Sequence, residues 1–269
     1  VGEQNNWIAD EDLSAESSYD SHDFEMLYHL FYTLPSQLEI LLRELEFYLC
    51  GVKMVKEGHY SIPVPTEESG IIQLKGAWNP VAGKYEDMDK LDIDIGTRSN
   101  FFGVTGPNEI GKSTAIEMLA LCVLYFQMGL PIPAEAGTIG IFKNTYTVTP
   151  GIEGVDPGES HHTGLIKRLT DLIDKVGPRD IVVVDEAHMG SEFKDLSALT
   201  TVLMEDLVKT GATILYATHM RNTMELLAER IPHIQPYKIG YETGNPESRP
   251  IRALTAGITE GSFSSYTLK

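Results

Sequence analysis

Residues 101–113 read FFGVTGPNEIGKS and give the strongest indication of the fold class. Its first five residues form a short apolar run of the kind that becomes a buried strand. A glycine-rich turn follows, and a helix is predicted to begin near Lys112. The turn has the spacing GxxxxGK[ST], typical of a phosphate-binding loop between a strand and a helix. Its residues are Gly106, Pro107, Asn108, Glu109, Ile110, Gly111, Lys112 and Ser113.

Each residue type in this loop has a chemical reason to be there. Glycines let backbone N–H groups converge on phosphate oxygens, and the N-terminus of the following helix adds a favourable dipole. Lys112 would supply positive charge to the β- and γ-phosphates, and the Ser113 hydroxyl would ligate Mg²⁺. A chance match is the alternative, but a strand before the loop and a helix after it are the context that the motif requires. The loop, with Thr114 behind it, therefore predicts a site for ATP and Mg²⁺.

Polar residues follow two further apolar runs. Residues 181–184 read IVVV and are followed by Asp185 and Glu186. At the C-terminal end of a strand, Asp185 can hold Mg²⁺ through water, and Glu186 can orient or deprotonate an attacking water. Residues 212–216 lead into Ala217-Thr218-His219, where His219 can sense the γ-phosphate. The alternatives are an acid pair in a turn and a histidine that only caps a strand. The predicted catalytic residues are Glu186, His219 and Lys112.

Two helices are predicted ahead of the sheet. Apolar residues recur at helical spacing from Phe24 to Leu34, and Pro35 is expected to end that helix. Residues 36–39, SQLE, read as a capping box that opens a second helix. That helix carries a leucine stripe and should end near Gly58. The stripe is expected to pack in a core, and an interface with a partner helix is the alternative.

From Ile71 onward, strands alternate with helices. The predicted strands are 71–74, 91–95, 101–105, 181–184 and 213–216, and the predicted later helices are 162–176, 195–209 and 223–230. Wholly apolar strands are typical of a sheet covered on both faces. We predict an α/β fold of the P-loop (ABC/RecA-like) class, with a mainly parallel sheet flanked by helices and preceded by a short helical segment.

Charge, hydrophobicity and cysteine content indicate which partners and which cellular location to expect. The formal net charge is −18, from 21 basic and 39 acidic residues, which predicts little DNA affinity for this segment itself. No apolar run approaches the roughly 18 residues that a membrane span needs. Cys50 and Cys122 have neither metal-ligand spacing nor a disulfide framework, which favours a reducing, cytoplasmic or nucleoid-associated setting.

The expected domains are an acidic disordered leader at 1–21, a helical segment at 22–70 and an ATPase domain at 71–269.

Together these motifs resemble the ATPase domain of the MutS mismatch-repair family. The resemblance rests on GPN and GKST around the loop, on Asp185-Glu186, and on Ala217-Thr218-His219. Two flanks agree, because Asn79-Pro80-Val81 is similar to the family's His-Pro-Val and residues 261–266, GSFSSY, are similar to its closing segment. The resemblance covers about residues 74–268. Glu109-Ile110 in place of Met-Gly, and residues 187–191, indicate a divergent member.

The resemblance implies an ABC-class ATPase whose nucleotide sites form at a dimer interface. It places Ser160, in Pro157-Gly158-Glu159-Ser160, in the signature loop that meets the γ-phosphate of the other subunit. An ordinary helix cap is the alternative reading of that segment. The implied partners are ATP or ADP, a second copy or related subunit through the ATPase face, and DNA through domains outside this chain, with no membrane.

Three other functions compete with this one. Residues 185–188 spell DEAH, but a helicase of that group is not expected, because the remaining chain is too short for its second RecA-like domain. Another ABC-class ATPase, such as an SMC-like protein, is disfavoured by Asn79-Pro80 and by the Ser-Tyr closing segment. A non-hydrolysing, nucleotide-gated interaction module is disfavoured by Glu186 and His219.

Overall fold

The structure, a computed structural model of the 269-residue chain, describes residues 21–97, 99–107, 110–149, 161–185, 194–231, 233–234, 236–241 and 250–258. It divides into two compact units, Val1–Cys50 and Gly51–Lys269. The domain boundaries expected from the sequence at 21/22 and 70/71 stay predictions.

The first described elements are helical. Helix α1 spans Ser21–Tyr28, a π-helical turn spans His29–Thr33, and α2 spans Leu34–Lys56. The predicted break at Pro35 is wrong, because this proline lies in the first turn of α2, where its missing N–H removes no bond of that helix. The predicted capping box is also wrong. The Ser36 hydroxyl donates to the Tyr32 carbonyl at 3.0 Å instead of capping a helix start.

The leucine stripe of α2 does not form the core that its spacing predicts. Leu38 and Leu45 are 49% and 50% exposed, and Gly51 is the buried residue of this helix. Helical spacing identifies which side chains share a face, but it carries no information about the surface that would cover that face.

The second unit contains most of the elements. In chain order they are β1 Val64–Thr66, β2 Ile72–Ala77, β3 Leu91–Ile95, β4 Phe101–Thr105, α3 Lys112–Gln127, β5 Ala136–Gly140, β6 Asn144–Val148, α4 His161–Ile173, β7 Asp180–Asp185, α5 Lys194–Lys209, β8 Thr213–Thr218, α6 Arg221–Arg230, β9 Tyr237–Tyr241 and β10 Pro250–Ala256. A 3₁₀ turn, Tyr85–Asp87, precedes β3.

A four-stranded sheet has the order β1-β5-β2-β3. Strand β2 is antiparallel to both β3 and β5, and β1 is parallel to β5. The sequence LDIDI of β3 alternates as predicted, because its three apolar side chains are buried and its two aspartates are exposed. Asp92 accepts a hydrogen bond from the Gly76 N–H at 2.8 Å, across the register shift between β2 and β3.

A six-stranded sheet has the order β10-β9-β4-β8-β7-β6. Neighbours from β9 to β6 pair in parallel, and β10 is antiparallel to β9. Strands β4 and β8 are buried along their whole length. On one face, Phe102 and Val104 belong to the same core cluster as Leu119 of α3. On the other, Phe101 and Tyr216 share a core cluster with side chains of α4, α5 and α6.

The predicted α/β class is confirmed at this level, as two mixed sheets flanked by helices. The three later helices lie within three residues of their predicted ends. Strands β1, β5, β6, β9 and β10 were not predicted. Within the part of the chain that the structure describes, no helix combines the length and the apolarity that a bilayer crossing requires.

Candidate nucleotide-binding site

The glycine-rich loop begins where β4 ends. A Cβ atom at Gly106 would lie 2.7 Å from the Ile239 carbonyl oxygen of β9 and 3.1 Å from Cγ2 of Ile110, so the chain can leave the strand here only without a side chain. Gly111 precedes α3 with φ 109°, a conformation that residues with a Cβ rarely adopt. Two of the motif's glycines are thus required by geometry.

Lys112 is the first residue of α3 and is only 4% exposed. Its ammonium donates to the carbonyl oxygens of Gly106 at 2.9 Å and Pro107 at 2.6 Å. Burial lowers the pKa of Lys112 from 10.5 to about 8, and the negative charge of Asp185 acts in the opposite direction. The lysine is therefore a buried cation at the start of the helix, within electrostatic reach of Asp185.

The ends of three parallel strands meet beside this lysine. Strand β8 lies between β4 and β7, with Thr218 opposite Thr105 and Ala217 opposite Asp185. Asp185 is the last residue of β7 and is half-buried. Carboxyl ends of parallel strands at one sheet edge are the usual place for ligands in α/β proteins.

The β8 end turns directly into α6. The buried Thr218 hydroxyl accepts a hydrogen bond from the Met220 N–H at 3.0 Å, which fixes the turn. His219 lies in this turn and is half-buried. The structure therefore brings Lys112, Asp185 and His219 to the same edge of one sheet.

A model of the family described as MutS domain V matches residues 102–267, which is more than half of the chain. The chain belongs to the MutS family. This match begins inside β4 and includes every predicted site residue.

Individual MutS relatives agree at modest identity. The chain is 28% identical to the DNA mismatch repair protein MutS of Granulibacter bethesdensis over 73% of the chain and 22% of that protein. It is 24% identical to the MutS of Caldicellulosiruptor saccharolyticus, over 98% of the chain and 32% of that protein. It is 31% identical to the Endonuclease MutS2 of Halothermothrix orenii, over 56% of the chain and 19% of that protein. The chain thus spans about a fifth to a third of the length of these relatives.

Several predicted site residues lie outside the described residues. They are Asn108, Glu109, Ser160 and Glu186, together with the MutS-like closing segment at 261–266. Ile110 is described and is 2% exposed, packed in the core, so its contribution to a phosphate site is limited to its backbone. The predicted roles of Asn108, Glu109, Ser160 and Glu186 stay predictions.

The described residues fit a magnesium ion bound together with nucleotide phosphates. Mg²⁺ is usually held through one or two carboxylates, a hydroxyl, waters and the phosphates themselves. Ser113 is half-buried in the first turn of α3, and the Asp185 carboxylate lies near the Lys112 charge. In a MutS-family site, these two side chains are the oxygen donors that would hold Mg²⁺.

One residue of this site had no role in the sequence-based prediction. Asn79 was recognised only as part of a flank similar to the MutS family's His-Pro-Val, yet it is 1% exposed and contacts the first turns of α3. Its signal in the sequence is a polar residue two positions after the end of β2, behind Trp78, which does not identify its partner.

Proposed function

We propose that this chain is the ATP-binding and ATP-hydrolysing motor domain of a MutS-like DNA-maintenance protein, built on the P-loop fold of the ABC class. One observation carries the proposal: Lys112 is buried at the start of α3, within electrostatic reach of Asp185, in a chain that belongs to the MutS family. A buried cation at a helix N-terminus suits an anionic ligand, because the helix dipole and the ammonium attract negative charge together.

Different described residues would bind the phosphates and the magnesium ion. Backbone N–H groups of the loop and of the first turn of α3 would donate to phosphate oxygens, and Lys112 would neutralise charge on the β- and γ-phosphates. Ser113 and Asp185 would hold Mg²⁺, which supplies charge neutralisation when it is bound. Ordered N–H donors and a cation in a dry site stabilise negative charge far more than water does.

Hydrolysis is assigned to residues that follow the strand ends. Glu186 comes directly after Asp185 and would orient or deprotonate the attacking water. His219, at the adjacent strand end, would contact the γ-phosphate side of the site.

The proposal extends to an assembly. We propose that two copies, or a copy and a related subunit, meet through the ATPase face and that Ser160 of one completes the site of the other. DNA is the proposed target of the whole protein, in line with relatives named as DNA mismatch repair proteins, and a cytoplasmic or nucleoid-associated location is part of the same proposal.

Phosphate release from ATP tests the proposal directly. The chain should bind ATP with Mg²⁺ and release phosphate, and Lys112→Ala should abolish both. Lys75→Ala, which removes an exposed lysine from β2, is the matched control and should leave both unchanged. ATP binding without phosphate release would favour a non-hydrolysing nucleotide-gated module. Undiminished ATP binding by Lys112→Ala would refute the assignment of the loop.

A further inference from the structure

Asn79 connects the end of β2 to the first turns of α3. Its side-chain amide donates to the Thr114 carbonyl oxygen at 3.1 Å and, more weakly, to Glu117 Oε2 at 3.4 Å. Its side-chain oxygen accepts from the N–H groups of Val81 at 2.9 Å and Ala82 at 3.3 Å. Both ends of the amide are therefore occupied, and they join two segments that are 35 residues apart in the chain.

The hydrogen bond from Asn79 to Thr114 lies next to the residues that are proposed to bind the nucleotide and Mg²⁺. Thr114 follows Ser113 and Lys112, and its carbonyl lies in the first turn of α3. A carbonyl oxygen has two lone pairs, so Thr114 can accept from Asn79 without giving up its place in the helix. A fixed Thr114 carbonyl restricts rotation of the helix start, and with it the direction of the Ser113 hydroxyl.

Asn79 itself has a rigid support. The preceding residue, Trp78, is 5% exposed; its indole N–H donates to the His59 carbonyl at 3.0 Å and its main-chain N–H donates to the Pro133 carbonyl at 3.0 Å. The Tyr85 ring packs edge-on against Trp78 and stacks on His59. A side chain can position another group only if its own backbone is held, and this condition is met here.

We propose that Asn79 is a positioning residue, which holds the first turn of α3 in the orientation that Ser113 needs to bind Mg²⁺ together with nucleotide. This inference rests on the proposed ATP-binding function. Asn79 touches neither phosphate nor metal in this assignment and acts through the Thr114 carbonyl. Its effect should therefore fall on the magnesium-dependent part of nucleotide affinity.

The test compares ATP binding with Mg²⁺ and with EDTA, by calorimetric titration of the whole chain. Asn79→Asp is nearly isosteric and keeps an oxygen for Val81 and Ala82, but it turns a second acceptor toward the Thr114 carbonyl. We expect the Mg²⁺–ATP affinity to fall about tenfold, the size of one lost hydrogen bond, while the affinity in EDTA changes little. Asn79→Ser removes the amide donor, shortens the side chain and adds no charge, so it should shift the affinity in the same direction.

Two further variants separate positioning from general effects. Asn100→Asp removes another amide-to-carbonyl bond, from Asn100 to the Gly211 carbonyl at 3.3 Å, at the opposite end of β4. It should lower stability without changing the ratio of affinities with and without Mg²⁺. Combining Asn79→Asp with Glu117→Gln removes repulsion between two carboxylates, and the Mg²⁺–ATP defect should persist.

The outcomes distinguish the two proposals. Native Mg²⁺–ATP affinity in Asn79→Ser and in folded Asn79→Asp would overturn the positioning role and leave the ATP site standing. Full recovery in the combined variant would also overturn it, because the defect would then come from charge repulsion at Glu117. A native chain that binds no ATP under either condition would overturn both proposals. If Asn79→Asp fails to fold, the same ratio measured on Asn79→Ser decides.

Discussion

Lys112→Met should make the nucleotide-free protein more stable while it abolishes ATP binding. Lys112 is 4% exposed, and burial lowers its pKa from 10.5 to about 8. Each pH unit of that difference corresponds to about 1.36 kcal/mol, so holding the charged form folded costs at most roughly 3 kcal/mol. Methionine has a similar length and no charge, so this cost is removed, while the loss of the two bonds to loop carbonyls offsets part of the gain.

The stability difference between Lys112→Met and the native chain should become smaller as the pH rises. The folded-state pKa lies below the unfolded value, so the unfolded chain holds the proton to higher pH. The penalty is fully present below about pH 8 and disappears as the pH rises toward 10.5. Urea unfolding at pH 7 and at pH 10 should therefore show Lys112→Met more stable than the native chain at pH 7, by up to roughly 3 kcal/mol, with a smaller gap at pH 10.

Lys75→Met serves as the control for replacing a lysine by methionine, because Lys75 is exposed, and its gap should not depend on pH in this way. A Lys112→Met variant that is less stable than the native chain at pH 7, or a gap that widens with pH, would refute the reasoning from burial.

Three other changes have defined outcomes. His233 has φ 71°, so His233→Gly should raise the free energy of unfolding by about 1 kcal/mol, whereas Gly58→Ala, at φ 82°, should lower it by a similar amount; equal effects of the same sign in urea unfolding would contradict this. Glu186→Gln should slow phosphate release by about 10²–10⁴-fold with ATP binding retained, and a native rate would transfer the role to another residue. Mixing Ser160→Arg chains with Lys112→Ala chains should restore partial ATPase activity, because a mixed dimer contains one site with both halves intact; no rescue, with specific activity independent of concentration, would reject the shared site.

The central strands could be predicted because burial on both faces leaves an unbroken apolar run. This holds for β4 and β8, whose positions are all buried, and for β7 up to its terminal aspartate. Strand β6, with the sequence NTYTV, is largely polar, and its burial is incomplete along most of its length. No periodicity distinguishes such a strand from a loop, so its place beside β7 comes only from pairing.

The site was predictable where a local motif defines it and hidden where distant segments meet. The spacing from Gly106 to Ser113 carries its own chemistry, and the strand ends at Asp185 and Thr218 follow from apolar runs. The bond from Asn79 to Thr114 has no such signal, because no sequence pattern in either segment indicates that the two segments are in contact. At α2, the spacing of the leucines predicted the helix, but it could not show whether another surface would cover them.

Under the proposed function, the carbonyls of Gly106 and Pro107 would compete with the phosphates for the ammonium of Lys112. An ammonium has three N–H donors and two of them are occupied here, so a phosphate would accept the third directly and would compete with the two carbonyl oxygens for the others. Because the pKa of Lys112 is about 8, a fraction of molecules near that pH also lacks the proton that a phosphate requires. Under the proposed function, nucleotide binding at pH 8 should therefore be coupled to proton uptake from the buffer, and its apparent heat should depend on the ionisation enthalpy of that buffer.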